Sequence, residues 1–508
     1  MLTLRLKDQN VRRASLNSFG IHDKVLKQIY EDDKNIFVSR ESKNALKKYC
    51  LQKSDEDAIK IWKELLIDAI CLLKINDRRE RLYSDVSEIY DEKNLDEYVS
   101  LFSKIRKEVT YGVDELVEYY DDYMNFETVL YGIGDYYRDH IHHVIEVWGI
   151  GVGLIEGYDK INIKLNDGYA TSESDFGFQI GVNGFQYLTR SEIWAMWIMI
   201  SLCHDLGYPI EKASKINQKV RKIINHFGAL SYNDLSYSFD MLNGFLVDKY
   251  LNIVSSKAVR NKEICKAGGE CMINNCHQKQ MHKTQVQPKY YDKLCKSLES
   301  YQHGIFSGML IYKKLTYFLE SDYSDMVESL NCEDLRQFYI RKEILRSICT
   351  HTCAKVYHLD LNTLSFLLII CDDLQEWGRP RLRDMLNGDY DDKCIIEIRE
   401  YEARHEDGLF ATNISIVTEY KIEGGVDDEM KRKFESNIVK KFKKMHYLLR
   451  GAKDDGERKV KLKWEIKFGG EGAIFDFDTE RKQKDVYGLH WINYEGNNFV
   501  KGDEIELY

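Results

Sequence analysis

A mainly α fold, interrupted by a hairpin-containing insertion and closed by a small C-terminal α+β module, follows from three observations. Apolar residues recur with a period near 3.6 through most of the chain before His405. Only three prolines, Pro209, Pro288 and Pro380, occur in 508 residues, so few helices are broken from within. After His405 the pattern changes to strict alternation on either side of one more helical stretch.

The elements follow in order. From Ser54 to Ile75 the apolar residues Ile59, Ile61, Trp62, Leu65, Leu66, Ile70, Leu72 and Leu73 mark a helix with Ser54 as its N-cap. Further helical patterns run from about Glu92 to Val109 and from Val113 through "VEYYDDYMNFETVLY", so residues 1–125 read as a helical region for packing or interaction. Between 156 and 190 five glycines and the alternating piece "FGFQIGV" predict the hairpin-containing insertion. "RSEIWAMWIMISLCHD" is apolar on every face and predicts a helix buried all round. A polar stretch at 255–289 reads as a surface insertion. Finally, "NISIVTEYKI", a helix over 428–450 and "VKLKWEIKF" predict a strand–helix–strand module, with both strands in one sheet, over 406–508.

A hydrophobic content of 44% is ordinary for a globular protein with a sizeable core. The net charge of −10 disfavours nucleic acid or anionic lipid as a bulk partner. No apolar run reaches the roughly 18 residues of a membrane span, and "MLTLRLKDQNVRRASLNSF" has no signal-peptide pattern, so a cytoplasmic protein without membrane partners is expected. Twelve irregularly spaced cysteines, among them Cys71, Cys203 and Cys371 inside apolar runs, suit reduced thiols. The abundance of Lys, Asn, Ile and Tyr is typical of AT-rich prokaryotic genomes.

Chemistry concentrates in a few places. The buried helix ends in His204-Asp205, directly before Gly207 and Pro209. An ionised carboxylate there must find a cation or several donors, and a divalent metal is the strongest such partner. Adjacent helical residues point about 100° apart, so the two can share a metal only where the helix ends. Asp372 follows seven residues of which six are hydrophobic, and the same penalty applies. His303 lies beside Gly304, Ser307 and Gly308, small residues that let helices approach closely, and His351 sits in "ILRSICTHTCAKVY". The stretch "RDHIHHVIEVW" carries His140 and His143 on one helix face, with His142 pointing away.

This ordered set, a histidine in "RDHIHHV", then His204-Asp205, His303, His351 and Asp372, resembles the HD superfamily of metal-dependent phosphohydrolases, over about 136–381. The resemblance implies an HD-type helical bundle as a domain at 126–405. It also implies two divalent transition-metal ions (Mn, Fe, Co, Ni or Zn), the donors that imidazole and carboxylate suit. His143, His204, Asp205 and Asp372 would hold the first metal, and His303 and His351 the second, with Asp205 as bridge. His143 is favoured as the ligand because the phosphodiesterases of the family place a proton-donating histidine before theirs; His140 then either supports the ligands from behind or is the general acid, and the reverse assignment stays open. Asp205 and His140 are thus the candidate catalytic residues. Arg379 and Arg381 are candidates for binding substrate phosphate, or else an exposed basic helix end.

"HDLGYP" departs from the motifs of the guanosine-tetraphosphate and deoxynucleotide hydrolases of the family, and the longer HD-GYP motif is missing. The expected activity is therefore hydrolysis of a phosphodiester or phosphoanhydride in a nucleotide or other phosphorylated small molecule. The alternatives are an HD nuclease, a non-catalytic nucleotide-sensing scaffold and a di-iron oxygenase; a homo-oligomer is left open. Cys265, Cys271, Cys276, His277 and His282 lack a close CxxC pair, so a flexible loop accounts for them better than structural zinc.

Overall fold

The computed structural model describes residues 20–32, 35, 37–82, 100–107, 111–130, 140–156, 179–180, 186–187, 190–228, 241–260, 282–320, 330, 332–353, 363–375, 394–406, 409–420, 432, 436, 439, 442, 458–468, 471–478, 487–495 and 498–504. It is mainly helical. Helices α1 (Gly20–Glu31), α2 (Arg40–Gln52), α3 (Asp55–Leu82) and α4 (Val113–Leu130) precede α5 (Ile141–Glu156) and α6 (Arg190–Cys203). Next come α7 (Tyr208–Asn225), α8 (Met241–Ser255), α9 (Pro288–Glu299), α10 (His303–Lys314), the short α11 (Thr316–Leu319), α12 (Cys332–Thr350) and α13 (Leu364–Leu374).

Helix α6 is the axis of the helical part. Every residue from Ser191 to Gly207 is buried, as a segment apolar on all faces requires. Helices α3, α5, α12 and α13 pack around it. Two indole N–H groups tie this packing to backbone carbonyls: Trp62 Nε1 donates to Leu202 O at 2.8 Å and Trp197 Nε1 to Trp148 O at 3.0 Å. A buried pair, Arg336 on α12 with Glu192 on α6, adds a forked contact, Nε to Oε1 at 2.9 Å and Nη2 to Oε2. Both charges are satisfied there, without which their burial would cost several kcal/mol.

The helix ends follow local chemistry. Ser54 caps α3, its Oγ accepting from Asp57 N at 3.1 Å while donating to Asp57 Oδ2 at 2.6 Å. Thr363 caps α13 by accepting from Phe366 N at 3.4 Å. Of the pattern expected over Glu92–Val109, residues 100–107 are helical and the remainder lies outside the described residues.

The expected hairpin insertion contains β1 (Gln179–Ile180) paired antiparallel with β2 (Gln186–Tyr187). The stretch at 255–289, expected as a polar surface insertion, is flanked by a ladder that the sequence did not suggest. There β3 (Ser256–Arg260) pairs antiparallel with β4 (His282–Val286), Ser256 opposite Val286 through Arg260 opposite His282. Polar β-branched and basic residues satisfied their backbones by pairing with each other, a non-local event that periodicity does not report. Cys265, Cys271, Cys276 and His277 lie outside the described residues.

The C-terminal sheet is larger than its two expected strands. Six strands, β5 (Cys394–Glu406), β6 (Leu409–Tyr420), β7 (Arg458–Phe468), β8 (Glu471–Asp478), β9 (Tyr487–Glu495) and β10 (Asn498–Glu504), lie in the order β10-β9-β8-β7-β6-β5. Only β6 and β7 run parallel, which requires a long crossover between them. Residues 432, 436, 439 and 442 are helical within that crossover. Its Phe442 stacks on Phe475, centroids 4.6 Å apart, and meets Trp464 edge-on. Leu462, Trp464 and Ile466 are buried at alternate positions of β7, as the strict alternation predicts. Among the described residues no helix is long and apolar enough to cross a membrane.

Candidate metal centre

Five helix ends bring the chemistry together. His143 stands in the first turn of α5. His204 and Asp205 follow the last residue of α6, in the turn before α7. His303 opens α10, His351 follows the end of α12, and Asp372 lies in the last turn of α13. Helix ends suit this task because adjacent residues there are free of helical spacing, so His204 and Asp205 can converge.

Asp205 is central. Its Oδ2 lies 3.6 Å from His143 Nε2 and 3.4 Å from His204 Nε2. Its Oδ1 lies 3.1 Å from His303 Nε2 and 3.7 Å from His351 Nε2. One carboxylate thus turns one oxygen to each pair of histidines. Asp372 joins the first pair, its Oδ1 3.2 Å from His143 Nε2 and 3.9 Å from His204 Nε2. Three overlapping trios have ligand atoms within 4.8 Å of one another: His143, His204 and Asp205; His204, His351 and Asp372; and Asp205, His303 and His351. All six residues proposed as metal ligands therefore stand in one cluster.

The opposite ring nitrogens show which way each imidazole is held. His204 Nδ1 meets Ser201 O at 2.7 Å, His351 Nδ1 meets Ile348 O at 2.6 Å, and His303 Nδ1 meets Glu211 Oε2 at 2.6 Å. His143 Nδ1 meets Gln375 Oε1, and the amide nitrogen of Gln375 donates in turn to Glu146 Oε2. Each Nδ1 faces an oxygen that only accepts, so the Nδ1 carries a proton and Nε2 is the atom aimed inward. Among the described residues, Nε2 of His143 and of His204 are buried and make no hydrogen bond. Buried nitrogens left unsatisfied beside carboxylates, with orienting acceptors behind them, are the donor set of a transition-metal site. The residues present fit divalent Mn, Fe, Co, Ni or Zn.

The electrostatics agree. Burial disfavours the charged imidazolium of His204 and lowers its pKa, leaving a neutral ring able to donate a lone pair. Burial also opposes ionisation of Asp205, yet the surrounding imidazoles of His204, His303 and His351 hold it well below the usual carboxylate range. At His303 burial is outweighed by hydrogen bonds to Asp205 and Glu211, which raise its pKa to about 9. Glu211 is drawn down to about 2, because His303 and Lys215 overcome its burial. Asp205 and Glu211 are thus held ionised on either side of His303.

Crowding is tight enough to require glycine. A Cβ on Gly304 would lie 2.7 Å from Ile348 O and 3.0 Å from His351 Cε1. One on Gly207 would fall on the backbones of His303 and Ser307. The Gly207 N–H donates to Ser307 Oγ at 2.7 Å, which ties the turn after Asp205 to α10.

The other histidines of "RDHIHHV" have different places. His142 contacts Tyr49 OH through Nδ1 and Asp55 Oδ1 through Nε2, both at 3.0 Å, and so fastens α5 to the N-terminal helices. His140 is buried against the Tyr208 ring, centroids 3.7 Å apart, and belongs to none of the trios. Tyr208 in turn meets the His303 ring, centroids 5.7 Å apart. Arg379 and Arg381 lie outside the described residues. Sequence reading passed over Gln375, Glu146 and Glu211, whose only signals were spacing: Glu146 and Gln375 each stand three positions after a ligand, and Glu211 lies in the first turn after "HDLGYP". Comparison with family models, with curated proteins and with solved structures finds no match to this chain.

Proposed function

We propose that this chain is a metal-dependent phosphohydrolase of the HD type, cleaving a phosphodiester or phosphoanhydride of a nucleotide. The observation that carries this reading is the split carboxylate of Asp205, with one oxygen toward His143 and His204 and the other toward His303 and His351. His143, His204, Asp205 and Asp372 would hold one ion, and Asp205, His303 and His351 the other. Two divalent ions so held would supply a hydroxide at neutral pH and neutralise charge on phosphoryl oxygens.

The remaining roles belong to the chain. Gln375, Ser201, Glu211 and Ile348 hold the imidazoles in the orientation that presents Nε2. The full burial of His204 and near-burial of Asp205 exclude bulk water and keep the local dielectric low. His140, whose ring lies against Tyr208 beside the cluster, would give a proton to the leaving oxygen. Arg379 and Arg381 remain the proposed phosphate-binding pair.

The test begins with metal content of protein purified without a chelating tag. Phosphate or mononucleotide release is then followed from cyclic nucleotides, dinucleotides, nucleoside triphosphates and single-stranded nucleic acids. About two equivalents of transition metal, with turnover lost in His204→Ala and Asp205→Ala, is the expected result. Protein that neither carries metal nor takes it up on addition would refute the site.

A further inference from the structure

Helix α7 begins at the metal cluster and runs outward, and its sequence "YPIEKASKINQKVRKIIN" holds five basic residues against one acid. At 100° per residue, Tyr208, Glu211, Lys212, Lys215, Lys219 and Lys222 fall within an arc of about 100°. The first turn of that face is part of the site, because Glu211 holds His303 Nδ1 and Tyr208 lies against His140. The next three turns present lysines. Lys212 stands over the Tyr208 ring with its Nζ 4.5 Å from the centroid, and Lys215 pairs with Glu211. Lys219 and Lys222 are exposed and form no ion pair among the described residues. From Tyr208 to Lys222 the helix advances about 21 Å.

Resting on the phosphohydrolase reading, we infer that the substrate is a single-stranded nucleic acid, whose backbone lies along this lysine stripe while one phosphate reaches the cluster. A mononucleotide would leave Lys219 and Lys222 without use, whereas consecutive phosphates meet the stripe along its length. Cleavage splits one P–O bond of the strand by water: the water oxygen stays on phosphorus and the leaving sugar oxygen takes a proton. A duplex is excluded because His204 is fully buried and Asp205 is 6% exposed, so only a strand end or an unpaired strand reaches them. Phe227, 67% exposed beyond the last turn of α7, offers a face on which a base stacks. The net charge of −10 is an average over the whole chain and does not describe this helix face.

The experiment measures fluorescence anisotropy of a labelled, phosphorothioate-linked oligothymidylate of about 12 nucleotides with the full chain, across a salt series. The expected result is tighter binding of the strand than of thymidine monophosphate. In the Lys219→Gln/Lys222→Gln double variant the slope of log K against log salt should become shallower by about 1.4, since each phosphate contact on a single strand contributes about 0.7. Arg221→Gln, on the opposite side of α7, should leave the slope unchanged, with helix content and melting of each variant checked by circular dichroism. Hydrolysis of bis(p-nitrophenyl) phosphate, too small to reach the stripe, reports on the metal centre separately and should survive the double substitution. Loss of that hydrolysis in every form, with strand binding intact, would sink the phosphohydrolase reading and leave the stripe as a binding site. Strand binding no tighter than the mononucleotide, an unchanged slope in the double variant, or lysine-dependent binding to phosphatidylserine vesicles in place of the strand would overturn the inference.

Discussion

Asp205 differs from the other acid of the cluster in having an oxygen for each pair of histidines, whereas Asp372 turns its Oδ1 to His143 and His204. Asp205→Asn should therefore bring metal content well under one equivalent, while Asp372→Asn should retain about one, on the His303 and His351 side, by elemental analysis. Gln375 acts at one remove. Its amide accepts from His143 and donates to Glu146, so Gln375→Leu removes the orienting acceptor while nearly conserving volume. Metal affinity should fall on the order of 10- to 100-fold, read by competition with a chromophoric chelator. The six cluster residues were named from the sequence, the two acids because a carboxylate in an apolar run is costly without a partner and the histidines because the ordered set resembles the HD superfamily. Gln375, Glu146 and Glu211 were not, since a polar residue near a helix end is ordinary until the facing helix is known.

The turn between α6 and α7 positions His204, Asp205 and the start of the lysine stripe together. Gly207 has an ordinary φ of −80°, so the requirement there is space and not backbone freedom. Gly207→Ala should push α7 from α10 and cost about 1–3 kcal/mol in denaturant unfolding, with metal loss on the His303 side. Helix α3 carries a separate electrostatic feature. Its Asp68 is fully buried, accepting from Ser42 Oγ at 2.6 Å and Ser39 N at 2.9 Å and pairing with Arg106. Burial dominates these contacts and raises its pKa to about 6. The folded state therefore holds this proton after the unfolded chain has released it, and Asp68's contribution to stability falls as pH rises from about 4 to about 6. Asp68→Asn should flatten that part of the stability–pH curve, measured by urea unfolding. The cap of α3 was readable locally, whereas the β3–β4 ladder was not, because its partners lie more than twenty residues apart.

A metal held by the cluster would tie the helical body together, since the cluster draws on α5, α6, α10, α12 and α13 at once. An ion bound at a thousand times its dissociation constant stabilises the folded state by about 4 kcal/mol. Dialysis against a chelator should thus lower the melting temperature, and readdition of the metal should restore it; Asp205→Asn should melt at the same temperature with or without chelator. The sequence already contained the mainly helical class, the all-round burial of α6 and the alternation of β7, because periodicity is a local property, and it named the six cluster residues through their ordered resemblance to the HD superfamily. It did not contain the six-stranded order of the C-terminal sheet, the division of Asp205 between two histidine pairs, the tautomers set by Gln375 and the carbonyls, or the alignment of the α7 lysines with the cluster. Those depend on which helix ends and strands meet, and such meetings are decided by packing between segments up to more than two hundred residues apart, as His143 and Gln375 are.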